Sequence, residues 1–211
     1  AVRGRIHGLA NPVEALAAHA GKRAQQPLVN RLPVEEVMFL VDIACLDRVH
    51  PELCQCLTGN DHSAAMLARL RDATPIFQDM ASGDWVRIHP IAREFLNERF
   101  ERLPPGHRRR LHARAAHWLA ERELFEDAAS HARLAGDEAF AFDLVERCLY
   151  GIITQGRVSR VLEWLEHLPQ EEVRRRPQLC IAAGWALAQG ERHAEAAALV
   201  APIMQDPAAE P

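Results

Sequence analysis

The sequence predicts a mostly α-helical fold in two parts: three helices closed by one short β-hairpin, then antiparallel helix pairs. Three observations predict it. Alanine and leucine abound while aromatic residues make up only 6% of the chain, a composition that favours helix. Apolar residues recur at helical spacing through most of the length. Two short extended runs, 75–80 and 85–89, flank the turn-forming stretch Ala81-Ser82-Gly83-Asp84, which suits a four-residue hairpin loop.

Taken in order, Asn11-Pro12-Val13-Glu14 reads as a helix start, with Asn at the N-cap, Pro at the first helical position and Glu at the third. It opens an N-terminal helical segment or linker over residues 1–27. After Pro33, Val37, Leu40, Val41 and Ala44 share a helix face, with Glu35, Glu36 and Asp42 available for the wet side. Residues 51–57 form a second short helix, ended by Thr58-Gly59. Asp61 or Ser63 caps a third, whose Met66, Leu67 and Leu70 make one stripe. The hairpin follows, and Pro90 then starts a helix with Ile91, Phe95 and Leu96 on one face. Three helices followed by a β-hairpin is the order of a winged-helix unit, placed here at residues 28–103.

After Pro104-Pro105 the pattern becomes continuous helix pairs. The segments beginning Arg122-Glu123-Leu124, Gln155-Gly156-Arg157 and Gln189-Gly190-Glu191 align, with Glu123, Gly156 and Gly190 standing 33 and then 34 residues apart. That is the period of tetratricopeptide-like helical hairpins. Residues 104–211 are therefore expected to form an incomplete TPR-like region. Ala186, Leu187, Leu199, Val200 and Ile203 of the last pair are expected to await a neighbour. With a start at Ala1, this suggests an excised piece of a longer protein.

Composition excludes several functions. The net charge of −4 gives no general reason to bind nucleic acid or an anionic membrane. No apolar run approaches the roughly 20 residues that span a bilayer. Five cysteines, an odd number without framework spacing, point to a reducing, cytoplasmic setting. No phosphate loop of the form GxxxxGK[ST] occurs, so the chain is not expected to hydrolyse nucleotides alone. No nucleophile elbow or marked carboxylate pair occurs either, and no enzyme is predicted.

Metal ligation is not expected. Cys54 and Cys56 sit two positions apart on a helix and so face nearly opposite ways. His107, His112 and His117 are five apart and rotate around theirs. Residues 31–103 carry eight Arg, no Lys and twelve Asp and Glu. The third helix offers only Arg69 and Arg71, opposed by Asp61 and Asp72, which makes a poor phosphate-binding face. The basic run 107–114 suits an exposed face or a contact between domains, and Arg174-Arg175-Arg176 suits a helix C-terminus. His89, set between a strand and Pro90, remains open: it either caps the helix or contacts a ligand.

Leu46-Asp47-Arg48, the run 51–59, Ile88-His89-Pro90-Ile91-Ala92-Arg93-Glu94-Phe95-Leu96 and the segments 111–119 and 127–137 together resemble MalT-type, ATP-dependent LuxR-family transcriptional regulators, which are signal-transduction ATPases with numerous domains. The resemblance covers roughly residues 28–150. It implies an upstream nucleotide-binding ATPase domain, this winged helix, a helical-repeat sensor for an inducer or regulatory protein, and a C-terminal helix-turn-helix that binds DNA. ATP or ADP would belong to the full-length protein, with no cofactor in this part and no membrane partner. It further implies that His89 reaches the β-phosphate of bound ADP. The alternative is a free-standing helical-repeat adaptor that binds a protein or peptide.

Overall fold

In the computed structural model, residue 29 and residues 31–80, 83–167 and 170–204 are described, and the chain divides into two compact units, Ala1–Trp118 and Leu119–Pro211. The helix start read at Asn11, the whole 1–27 segment and half of the hairpin loop lie outside the described residues. The fold is mostly α, a winged-helix-like unit with one short hairpin followed by antiparallel helix pairs.

The first unit holds α1 (Val34–Ile43), α2 (Pro51–Thr58), α3 (Ser63–Ala73), β1 (Phe77–Asp79), β2 (Val86–Ile88), α4 (Pro90–Phe100) and most of α5 (Pro105–Glu121). The strands pair antiparallel, with Phe77 opposite Ile88 and Asp79 opposite Val86. On the other side of β2, Val49 bridges to Val86 through two backbone bonds of 2.8 and 2.9 Å. β2 is thus held from both edges. Its alternation puts Val86 and Ile88 in the core and Arg87 in solvent, as the period of a strand requires. Leu40, Ile43, Leu53, Leu57, Leu70, Ile76, Ile88 and Leu96 are essentially fully buried around it.

Local chemistry departs from the sequence reading in two places. Glu36, assigned to the wet side, is only 6% exposed and pairs with Arg69 of α3. A guanidinium reaching in from α3 makes the burial of that carboxylate tolerable. Neither Asp61 nor Ser63 caps α3. Asn60 Oδ1 accepts the His62 N–H at 2.9 Å, Asp61 accepts from Gln55, and Ser63 is buried with its hydroxyl 2.6 Å from that of Thr58.

The second unit contains α6 (Phe125–Ala135), α7 (Glu138–Thr154), α8 (Val158–His167), α9 (Gln170–Arg174), α10 (Pro177–Gln189) and α11 (His193–Met204). α6 packs most extensively on α7 and α10 on α11, while α10 also lies against α7 and α8. The three repeat turns share one design, which the turn at Gly136 (φ 85°) also follows. Glu123, Gly156 and Glu191 take positive φ (60°, 73° and 60°). In each, the next residue's N–H reaches back to a helix carbonyl: Leu124 to Leu119, Arg157 to Ile152 and Arg192 to Leu187, at 3.0, 3.1 and 2.9 Å. This is the Schellman way of closing a helix. The equivalent of Gly156 in the third copy is therefore Glu191, with Gly190 an ordinary residue at φ −84°.

Successive helix pairs are tied by ions as well as apolar contact. Arg157 makes a two-pronged pair with Glu126 at 3.2 and 2.7 Å. Arg176 pairs with Asp143 and Glu146 of α7. The run Arg174–Arg176 therefore does two jobs, since α9 ends at Arg174 while Arg176 stands at the N-cap of α10. Gly184 lets α10 and α11 close together: a Cβ there would lie 2.5 Å from Val200 Cγ2. Ala186 and Leu187, expected to await a neighbour, are buried in this unit, and the exposed apolar groups of α10 are Ile181 and Trp185.

Candidate functional site at the His89 corner

His89 sits where β2 hands over to α4. Its N–H donates to Ile76 O at 2.7 Å, and its carbonyl accepts the Arg93 N–H at 2.9 Å. Pro90 occupies the first helical position, where a missing N–H costs nothing. The ring Nδ1 accepts the Ile91 N–H at 3.3 Å, so the side chain caps the helix. An accepting Nδ1 leaves the proton of the neutral ring on Nε2. Among the described residues none accepts a hydrogen bond from that nitrogen, and the side chain is half-buried. Capping and ligand contact are therefore compatible, since they use different ring nitrogens.

A second corner uses the same device, and sequence reasoning passed over it. His50 follows the bridged Val49, precedes Pro51 and accepts the Glu52 N–H on Nδ1 at 3.3 Å. The signal was present as a repeated pattern, β-branched residue, His, Pro, in Val49-His50-Pro51 and Ile88-His89-Pro90. The two differ in outlook. The His50 ring packs against both Trp85 and Trp118, with centroids 5.1 and 5.5 Å away, while His89 has no ring neighbour among the contacts described.

Beside His89 lies an open cavity of about 470 Å³, lined by Asp47, Arg87, Ile88, Pro90, Arg93, Glu94 and Asn97. Arg93 pairs with Asp47 there. The two arginines and two carboxylates nearly balance, so the cavity is not in itself a strong anion site. A nucleotide phosphate would find one ring N–H from this chain at the His89 corner. Arg87 on the cavity wall is a further donor, and the rest would have to come from elsewhere.

The other sequence candidates are built into the fold. His107 Nε2 lies 2.9 Å from Asp42 and its Nδ1 3.2 Å from Arg110. Arg108 pairs with Glu101, and Arg114 donates to Leu57 O at 2.6 Å. Most of this basic run thus fastens α5 to the winged helix. His112 is buried edge-on to Phe100, and burial holds its pKa below the usual histidine value. His117 is exposed, so the three histidines occupy three separate surroundings. Burial pushes the Cys45 thiol up to about 12 and raises that of Cys54 as well, which leaves both unreactive. On α3, Arg69 is paired with Glu36 and Arg71 with Asp79.

The fold is that of a winged-helix-like unit followed by antiparallel helix pairs. Residues 24–108 match the MalT winged helix domain. It is 25% identical over 210 residues to the HTH-type transcriptional regulator MalT of Cronobacter sakazakii, covering 96% of this chain and 23% of that protein. It is 32% identical over 150 residues to the serine/threonine-protein kinase PknK of Mycobacterium tuberculosis, covering 70% of this chain and 13% of the kinase. PknK of Mycobacterium bovis aligns to the same extent. The chain thus spans less than a quarter of the length of these relatives.

Proposed function

We infer that the chain is the regulatory and interaction part of an ATP-dependent LuxR-type transcriptional activator. In this reading residues 28–103 form the winged-helix domain and residues 104–211 open the repeat region. The part couples the nucleotide state of an upstream ATPase domain to a helical-repeat sensor, and catalyses nothing itself. The observation that carries it is the MalT winged helix domain at 24–108 running directly into helix pairs, with a regulator aligned along nearly the whole chain.

His89 is assigned the nucleotide contact. Its Nε2–H donates to a phosphate oxygen when ADP is bound, more strongly once the ring is protonated. Such a contact biases the protein toward one nucleotide state only to the extent that it differs between states. DNA is reached elsewhere in the full-length protein, because both arginines of α3 are already engaged in ion pairs. The repeats receive the inducer or regulatory protein, and the setting is cytoplasmic.

The exposed Ile181 and Trp185, at 55% and 45%, keep the adaptor reading alive, since an apolar helix face also suits a protein ligand. The parent reading frame separates the two. The regulator requires a phosphate loop encoded upstream and a helix-turn-helix downstream. A frame with neither leaves the adaptor.

A further inference from the structure

Three of the contacts that fasten α5 to the first unit are spread along its length. His107 meets Asp42 of α1, Arg114 meets the last turn of α2 at Leu57 O, and Trp118 reaches the start of α2 at His50. Arg114 and Trp118 therefore run antiparallel to α2, one at each of its ends. The third contact differs from the others in what lies behind it. Trp118, 6% exposed, touches both His50 and Trp85, at centroid distances of 5.5 and 6.0 Å. His50 and Trp85 touch each other at 5.1 Å, and Arg48 lies over the Trp85 ring at 5.2 Å.

These rings flank β2 at its start. Trp85 is the residue before Val86, and His50 follows Val49, which is bonded to Val86 twice. β2 is three residues long, about 10 Å, and is held on both edges, so it moves as one piece. His89 stands at its other end. α5 continues past Trp118 to Glu121 without a break, carrying the chain from the first unit into the second.

We propose that the cluster of Trp118, His50 and Trp85 is a positioning relay, through which displacement of the end of α5 shifts β2 and re-aims His89. Packed rings transmit such a displacement because they cannot be compressed, and tilted or edge-on ring pairs have preferred arrangements to move between. The relay rests on the regulator reading for its purpose but not for its existence. Its test uses no nucleotide, so either can fail without the other.

The test is the ring signals of His89 in carbon-13-labelled chain 1–211, compared between wild type, Trp118→Leu, Trp118→Phe and His107→Ala. His107→Ala releases α5 at a fastening outside the ring cluster, at Asp42 of α1. The expected result is a clear shift of the His89 signals in Trp118→Leu, a smaller one in Trp118→Phe, and none in His107→Ala. Should Trp118→Leu fail to fold, Trp118→Phe against His107→Ala decides. Unmoved His89 signals in the folded Trp118 variants, or an equal shift in His107→Ala, overturn the relay.

Discussion

His112 is the residue whose titration the fold governs most plainly. Burial against Phe100 lowers its pKa below the free value of about 6.5, so the unfolded chain binds the proton more readily. Stability from this site is therefore full above about pH 6.5 and declines as pH falls through the interval below it. Denaturation midpoints of wild type should drop between pH 7 and pH 5 by more than those of His112→Phe, and equal drops would contradict the assignment. Glu36 makes a parallel point about charge. Its partner Arg69 is largely exposed, so the pair is partly screened, and Arg69→Ala is expected to cost about 1–2 kcal/mol by leaving a buried carboxylate unpaired. Chemical denaturation measures it. The helical pattern put Glu36 in solvent because periodicity counts apolar residues and is blind to a cation arriving from another helix. His89 as a cap was legible from Ile88-His89-Pro90. The free Nε2 was not, because it depends on which ring nitrogen the Ile91 N–H chooses.

Helix positions were readable because their apolar spacing is local, and so was the hairpin, which the turn residues mark. Turn register was not. Glycine is the residue that positive φ favours, and aligning Gly190 with Gly156 followed that rule, yet the left-handed position in the third copy is Glu191. A non-glycine residue there carries backbone strain. Glu123→Gly and Glu191→Gly should each raise stability by up to about 1 kcal/mol, while Gly156→Ala should lower it by about the same. Thermal melts of the three variants, read for sign, check the assignment. The seam between α10 and α11 supplies a sharper case. Gly184→Ala sets a methyl against Val200 Cγ2 and is expected to cost about 1–3 kcal/mol. Val200→Ala should restore most of that loss in the double variant, and an additive result would place the strain elsewhere.

For the whole molecule, the order of parts carries the interpretation: a winged helix whose α3 arginines are occupied, then α5, then helix pairs tied by Arg157 and Arg176. Composition pointed away from DNA and catalysis, but could not show that the basic run 107–114 is spent on holding α5 to the winged helix. That follows from Asp42, Glu101 and Leu57 being brought near it by the fold. The central claim is that one of two matched histidine caps also serves a nucleotide. His62→Ala supplies the control, since it removes an exposed histidine at the start of α3, outside both the ring cluster and the α4 cap. The measurement is the rate of ADP release from the full-length protein carrying His89→Ala or His62→Ala. Faster release in His89→Ala, with release in His62→Ala as in wild type, is the result the account predicts. Unchanged release in His89→Ala, or the same acceleration in both variants, would contradict it.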